Sequence, residues 1–376
     1  MLTRRQFSLS AAATALAGFG TARAQGAGKI ILGQSAAFTG PAAQLGIQFH
    51  RGARVWFDQV NAQGGVHGKS IEIRKMDDGY EPDRCAANTL KLIDAGVFAL
   101  FGYIGTPTCL AALPMVQAEQ MPFIAPFTGA MGLREPASKY VFHLRASYHD
   151  ETALIVKQLT HLGLKKIAVF YQNDAYGQAG LDGVTKALSV QNLKPVALAT
   201  VERNSVDVAG AVKTLMASAP DAVVQISAYK SSAAFVRASR QSGYRGTYYN
   251  VSFVGTQALS EELGKDAAGV MVSQVVPSPF DTARPITREY RADVARAGSD
   301  AQLSFSSMEG YLAGRVFTEG LRRAGNNPTR DSLIRGIESM GAQSMGGFAV
   351  NFSPASHVAS KFVELSMLTA DGRVLT

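Results

Sequence analysis

Strand-like and helix-like segments alternate along most of this chain, and the alternation ends and begins again near residue 148. Lys29 to Ser35 reads as a strand carrying the β-branched Ile30 and Ile31. A helix is expected from about Gln44 to Asn61, because Leu45, Phe49, Ala53, Trp56 and Val60 step by four, four, three and four. Gly64 and Gly65 then stop it. Ser70 to Arg74 is the next strand, and Pro82 opens a helix carrying Leu90 and Ile93. Val97 to Phe101 is a short buried strand, Thr106 opens a third helix, and Phe123 to Ala125 is a further strand. In the second series helices are expected at 150–162, 176–190, 208–218 and 231–242, with strands at 167–171, 197–201 and 222–227 between them. This rhythm implies right-handed crossovers and parallel sheets covered on both faces, so the chain is α/β with two doubly wound lobes. Residues 285–340 read as mostly helical and are expected to return to the first lobe.

The amino terminus has a separate character. Thr3-Arg4-Arg5-Gln6-Phe7 is a charged leader with paired arginines, Leu9 to Phe19 is mildly apolar, and Ala22-Arg23-Ala24 is a small-residue cleavage site. The apolar run is shorter than the roughly 20 residues a membrane span needs. Residues 1–24 are therefore expected to be a cleaved export signal, of the twin-arginine kind, with a mature chain free of any protein anchor. About 350 residues remain, more than one core usually supports. The formal charge of +8 falls to about +5 without the three leader arginines, and the basic residues are scattered, which argues against a nucleic-acid partner. Two cysteines, Cys85 and Cys109, suit a disulfide in an oxidising compartment.

A search for catalytic patterns mostly fails. Gly64-Gly65-Val66-His67-Gly68-Lys69-Ser70 resembles a phosphate-binding loop, but Gln63 stands where its first glycine is needed. Its glycines also leave a helix and enter a strand, the reverse of that loop's order. His50, His67, His143, His149, His161 and His357 include no helical metal-binding pair, so neither metal nor cofactor is expected. No nucleophile elbow or dinucleotide fingerprint is present, and only a Ser, His and Asp assembled by folding leaves an exported hydrolase open.

The informative segments follow strands. In Phe101-Gly102-Tyr103-Ile104-Gly105-Thr106-Pro107-Thr108 a strand ends, Gly105 turns, Thr106 is a good N-cap and Pro107 suits the first helical position. Such a helix start offers free amides, a hydroxyl and partial positive charge to a carboxylate. It lies at the carboxyl end of a parallel strand, where open α/β sheets bind ligands. Ile124-Ala125-Pro126-Phe127-Thr128-Gly129-Ala130 is a second turn of this kind, able to converge on the same group.

These residues belong to a wider pattern. Phe38-Thr39-Gly40-Pro41, Gly52-Ala53-Arg54, Asn61-Ala62-Gln63-Gly64-Gly65-Val66, Asp77-Asp78, Asn173-Asp174-Ala175-Tyr176-Gly177 and Glu309-Gly310-Tyr311 occur in an order and spacing that resembles the periplasmic substrate-binding proteins of branched-chain amino acid ABC transporters. The resemblance implies a type I periplasmic binding fold whose lobes, 25–148 with 276–356 and 149–275 with 357–376, are joined by three chain segments and close on a ligand. It implies a monomeric, periplasmic, non-catalytic protein that hands a small ligand to ABC permease subunits. A sensor for a separate membrane receptor is the alternative role. It also implies a carboxylate held by Gly105 and Thr106 and by Phe127, Thr128 and Gly129, with Tyr176 closing over it and Ser252 facing it. A bridge between neighbouring helices of the first lobe is implied for Cys85 and Cys109. One position departs from the family. Where amino acid binders carry an acid for the ligand ammonium this chain has Ser252, with Asp150 and Glu309 as alternative partners. Tyr103, Phe127, Tyr176, Tyr229 and Phe280 are expected to give the cleft aromatic walls, with Leu45 beside them, suiting an aromatic or branched organic acid ahead of a neutral amino acid.

Overall fold

The structure, a computed structural model, describes residues 28–298 and 302–376. The expected export signal lies outside the described residues. The first series gives β1 (Lys29–Ala36), α1 (Ala43–Ala62), β2 (Ser70–Asp77), α2 (Pro82–Asp94), β3 (Ala99–Phe101), α3 (Thr106–Ala118), β4 (Phe123–Ile124) and β5 (Val141–Phe142). The second gives α4 (Tyr148–His161), β6 (Ile167–Gln172), α5 (Ala175–Val190), β7 (Leu198–Val201), α6 (Ala209–Ala217), β8 (Ala222–Ile226), α7 (Tyr229–Gln241), β9 (Thr247–Asn250), α8 (Thr256–Leu263) and β10 (Met271–Gln274). Beyond these come α9 (Pro285–Ala297), α10 (Phe305–Arg323), α11 (Arg330–Glu338), β11 (Gly341–Met345), β12 (Phe348–Phe352), β13 (Glu364–Leu368) and β14 (Val374–Leu375).

The strands form two main sheets. In lobe 1 the order is β2-β1-β3-β4-β5, all parallel. In lobe 2 it is β14-β13-β10-β9-β8-β6-β7, parallel from β7 to β10, with β13 and β14 antiparallel at the edge. The chain passes between the sheets after β5, after β10 and after β12. The first and third passages run side by side: His143 and Val358 form a bridge, with His143 N donating to His357 O (2.8 Å) and Ala359 N to His143 O (2.8 Å).

Burial of the α1 stripe explains why the late helices return to lobe 1. Leu45, Phe49, Ala53, Trp56 and Val60 are all buried, and α10 lies against this face. Close approach of the two helices depends on missing side chains, since a Cβ at Gly52 would stand 1.8 Å from Ser307 O and one at Gly310 would stand 2.0 Å from Phe49 O. Polar links fix the register, Trp56 Nε1 donating to Thr318 Oγ1 (2.9 Å) and the Tyr311 hydroxyl to Asp293 (2.6 Å). The antiparallel β11–β12 hairpin was not foreseen from sequence.

Candidate functional site

The carboxyl ends of β3 and β4 continue side by side past their strands. Ile104 and Phe127 form a single parallel bridge, Phe127 N donating to Tyr103 O (2.8 Å) and Gly105 N to Phe127 O (3.2 Å). Gly105 has φ 96° and ψ 156°, and a Cβ there would fall 2.2 Å from the Tyr80 ring. The turn therefore requires glycine. The N-cap of α3 is Gly105, not Thr106 as the sequence suggested, because this backbone already halts the helix and its carbonyl takes Cys109 N (3.1 Å). Thr106 is the first helical residue, and its hydroxyl is released from capping. Thr106 Oγ1 lies 2.7 Å from Thr128 Oγ1, which donates in turn to the Tyr148 hydroxyl (3.4 Å). The Thr106 and Thr108 amides lie ahead of the first intrahelical bond, where helix starts attract negative charge.

Lobe 2 covers these groups with rings. Phe253 packs on Tyr80, Phe127 and Tyr176 at centroid distances of 5.9, 5.7 and 4.5 Å, and Tyr176 on Tyr148 at 5.5 Å. All these residues are buried, with Thr106 and Thr128 at 1% and 0% exposure, so the lobes are closed. Among the described residues the enclosed Tyr176 hydroxyl has no hydrogen-bond partner. Around the rim, Gln172 Nε2 donates to the Tyr80 hydroxyl (3.3 Å). Arg203 pairs with Glu81 at 2.9 Å, and Asn204 donates to Gly79 O (3.0 Å) and Glu81 (2.8 Å).

Beneath the two turns lies a charged network. Arg145, at the first passage between lobes, donates from Nε and Nη2 to Glu309 (2.8 and 2.7 Å) and from Nη1 to Ser252 Oγ (3.2 Å). Its guanidinium lies 3.9 Å from the centre of the Phe127 ring. Burial opposes the Arg145 charge, but the Glu309 carboxylate outweighs it and raises the pKa above the ordinary value. Glu151 accepts from Ser252 N (2.7 Å), Ser252 Oγ (3.1 Å) and Ser273 Oγ (2.6 Å). Burial moves its pKa upward, against the pull of Arg145 and these donors. Arg134, behind the Thr128 turn, donates from Nη2 to the carbonyls of Thr128, Arg145 and Ala146 (3.3, 3.1 and 3.3 Å).

Residues 29–373 match the sequence profile described as Periplasmic binding protein. The chain belongs to the periplasmic binding protein family. An amino acid binding protein of Pseudomonas aeruginosa is 23% identical over 290 residues, covering 76% of this chain and 77% of that one. A solved structure from Rhodopirellula baltica SH 1, of a possible leucine/isoleucine/valine-binding protein, is 34% identical with a TM-score of 0.87, covering 93% of this chain and 97% of that one. A fatty acid ABC transporter substrate-binding protein from Thermomonospora curvata shares the fold, at 20% identity, TM-score 0.82, and 93% and 91% coverage. The two α/β lobes are accordingly those of a type I periplasmic binding protein of the Leu/Ile/Val-binding type.

Within this periplasmic binding protein the expected site residues separate into groups. Gly105, Thr106, Phe127, Thr128, Tyr176 and Ser252 meet at the seam between lobes. Gly129 packs beneath Tyr148, to which its carbonyl is bonded (2.8 Å). Leu45 and Tyr229 close the far rim, Leu45 against Gly255 and the Tyr229 hydroxyl beside the Gln44 backbone. Three expectations are corrected. Tyr103 points away from the seam, packing on Phe123 (5.0 Å) and accepting from Thr89 Oγ1 (3.2 Å), because the strand alternation turns its ring toward α2 and α3. Asp150 is spent in the capping box of α4, accepting from Ser147 N (2.9 Å) and Ser147 Oγ (2.6 Å). Phe280 is 37% exposed and packs edge-on against Phe305, away from the turns.

The expected Cys85–Cys109 bridge is not formed in this structure. Both are buried free thiols on facing helices, each turned to a carbonyl: Cys85 to Thr108 O (3.4 Å) and Cys109 to Tyr103 O (3.7 Å). Burial raises both thiol pKa values. Among the described residues no His, Cys, Asp and Glu group could hold a metal, and no helix is long and apolar enough to cross a membrane.

Tyr80, Tyr148, Arg145, Glu151 and Phe253 were missed by sequence reasoning. Tyr80 and Tyr148 carried a usable signal, as aromatics just beyond strand ends. Arg145 carried none, because its partner Glu309 is 164 residues away.

Proposed function

We propose that this chain is the exported, monomeric, non-catalytic solute-binding component of an ABC uptake system, and that it holds a small carboxylate ligand between its lobes. Closure of lobe 2 over lobe 1 captures the ligand, and the closed form is what permease subunits receive. The observation that carries this reading is the meeting of Thr106 Oγ1 and Thr128 Oγ1, 2.7 Å apart at the start of α3, under a buried Tyr176 hydroxyl that has no partner. A buried polar group without a partner is costly, and a ligand carboxylate would supply the missing acceptor. The helix-start amides supply donors to the same anion, and the Thr106 and Thr128 hydroxyls would turn from one another to it. The ligands named for related proteins, an amino acid in one and a fatty acid in another, both carry a carboxylate.

The aromatic walls from Phe127, Tyr148, Tyr176 and Phe253 favour an aromatic or branched body on that carboxylate. A thermal-shift screen of aromatic acids, aliphatic acids and amino acids should find a ligand that raises the melting temperature by mass action. With that ligand, Thr106→Val should weaken binding by about 1–3 kcal/mol in calorimetry. Unchanged affinity would remove the carboxylate from the α3 turn.

A further inference from the structure

We infer that the cleft selects carboxylates lacking an ammonium group, because the acids bordering it are already engaged by donors within the protein and the nearest of them, Glu309, is ion-paired to Arg145 in its floor. The inference rests on the carboxylate reading of the same cleft. An α-amino acid brings a cation together with its carboxylate, and once the lobes close that cation needs an anionic partner.

The bordering acids have all been committed elsewhere. Glu309 is held in two-pronged fashion by Arg145 (2.8 and 2.7 Å). Glu151 receives three donors, from Ser252 N, Ser252 Oγ and Ser273 Oγ. Asp174 caps α5, accepting from Tyr176 N (2.9 Å), Gly177 N (3.3 Å) and Gln172 Nε2 (2.6 Å). Asp78 accepts from Ser35 Oγ (2.7 Å) and Tyr80 N (2.8 Å). Recruiting Glu309 to a ligand would strand a guanidinium that is only 1% exposed. Glu151 already lies in the field of Arg145, so a ligand ammonium would have to share it with that guanidinium.

The floor itself shows how the nearest acid is taken up. Arg145 Nη1 crosses the seam to Ser252 Oγ, and its guanidinium covers the face of Phe127. A ligand cation entering beside Phe127 meets a guanidinium that already holds the Glu309 carboxylate, so this ion pair offers it no free anion. Arg145 thus occupies the place of the ligand cation within the protein, and Ser252 is where that internal cation is hydrogen-bonded across the seam.

The test uses the wild-type mature chain and matched acids that differ only in the amino group: 4-methylpentanoate against leucine, and 3-phenylpropanoate against phenylalanine. Calorimetry and thermal shift should show the acid without the amino group binding about 100-fold more tightly or better within a pair. An amino acid that binds as tightly as its partner overturns the inference and leaves the carboxylate clamp intact. Stabilisation by the neutral amides of these acids, with none by either charged form, overturns the clamp and the inference together. In the Arg145→Gln variant, which releases the Glu309 carboxylate, the preference within a pair should shrink by about tenfold or more. An unchanged preference in a folded Arg145→Gln variant removes Arg145 from the explanation, while the wild-type pairs stand even if that variant fails to fold.

Discussion

The two walls of the cleft are made of different materials. Lobe 1 supplies small hydroxyls on turns pinned to a sheet edge, with Thr106 and Thr128 held 2.7 Å apart. Lobe 2 supplies rings, chiefly Tyr176 and Phe253, and a polar loop at Ser252 whose bonds are already made inside the protein. The turns of lobe 1 follow strands directly and cannot shift without disturbing the sheet. The rings of lobe 2 touch them only because the lobes are closed. Lobe 1 is therefore suited to orient a ligand, and lobe 2 to exclude water and lock it in. Between them runs Arg145, anchored in lobe 1 by Glu309 and reaching lobe 2 through Ser252.

The largest break in this comparison should come at that floor. Glu309→Ala leaves a buried guanidinium unpaired and should lower stability by about 3–5 kcal/mol in denaturant unfolding. A loss under 1 kcal/mol, as expected of an exposed ion pair, would mean that water reaches Arg145 and that the floor is not sealed.

The difference between the walls also explains what could be read from the sequence. The strand and helix rhythm is local, so the repeat on either side of residue 148 was legible, and with it the place where strands end and helices begin. Thr106 and Thr128 were legible for the same reason. Tyr103 lies in the same segment but is turned to the opposite side of the sheet, and composition could not report which side. Asp150 was expected as an alternative partner for a ligand ammonium and at the start of its helix, but the helix begins at Tyr148 with Ser147 as its cap, which commits Asp150 to the capping box. The lobe 2 wall was less legible, since Phe253 meets Tyr80 and Phe127 only through closure of two separately folded units. The Arg145–Glu309 pair joins residues 164 apart and has no local signature.

A pH measurement separates the core behind the lobe 1 wall from the wall itself. His50 of α1 is buried and bonded to Gln34 (2.7 Å), whose amide in turn holds Gly102 O (2.9 Å) behind the β3 turn. Burial, then Lys75, Arg54 and Arg51, lower its pKa from 6.5 to about 4. Below pH 6.5 the unfolded chain binds a proton that the folded chain refuses, so stability falls as pH drops toward 4, by as much as ~3 kcal/mol. Asp78 acts in the opposite sense. Burial raises its pKa from 3.8 to about 6, so the stability it contributes at low pH is lost as pH rises through that window. His50→Gln should remove the first effect and leave the second, so that the variant becomes less stable between pH 4 and 6 as pH rises. A variant that still loses stability on acidification would place the titrating group elsewhere.

Tyr176→Phe sharpens the comparison within the closed seam. Removing an enclosed hydroxyl without a partner should stabilise the ligand-free closed form by about 1 kcal/mol and weaken ligand binding by a similar amount. Thr106→Val, whose hydroxyl is bonded to Thr128, should weaken binding without that gain. Equal behaviour of the two variants would erase the distinction between the orienting and the locking wall.

The rim contacts should have the smallest effect. Arg203 and Glu81 keep 24% and 41% of their side-chain surface exposed, so the pair is screened by solvent. The link still joins opposite lobes, together with the Asn204 bonds to Gly79 and Glu81. It can act only on the equilibrium between open and closed forms, because neither residue needs the other for its own lobe to fold. Glu81→Gln should therefore leave thermal stability nearly unchanged and weaken ligand binding by no more than about 1 kcal/mol, through faster dissociation. Stopped-flow displacement read beside calorimetry would show it. If association slowed and dissociation did not change, Glu81 would be guiding the ligand into the open cleft, and the rim would belong with the orienting wall of lobe 1.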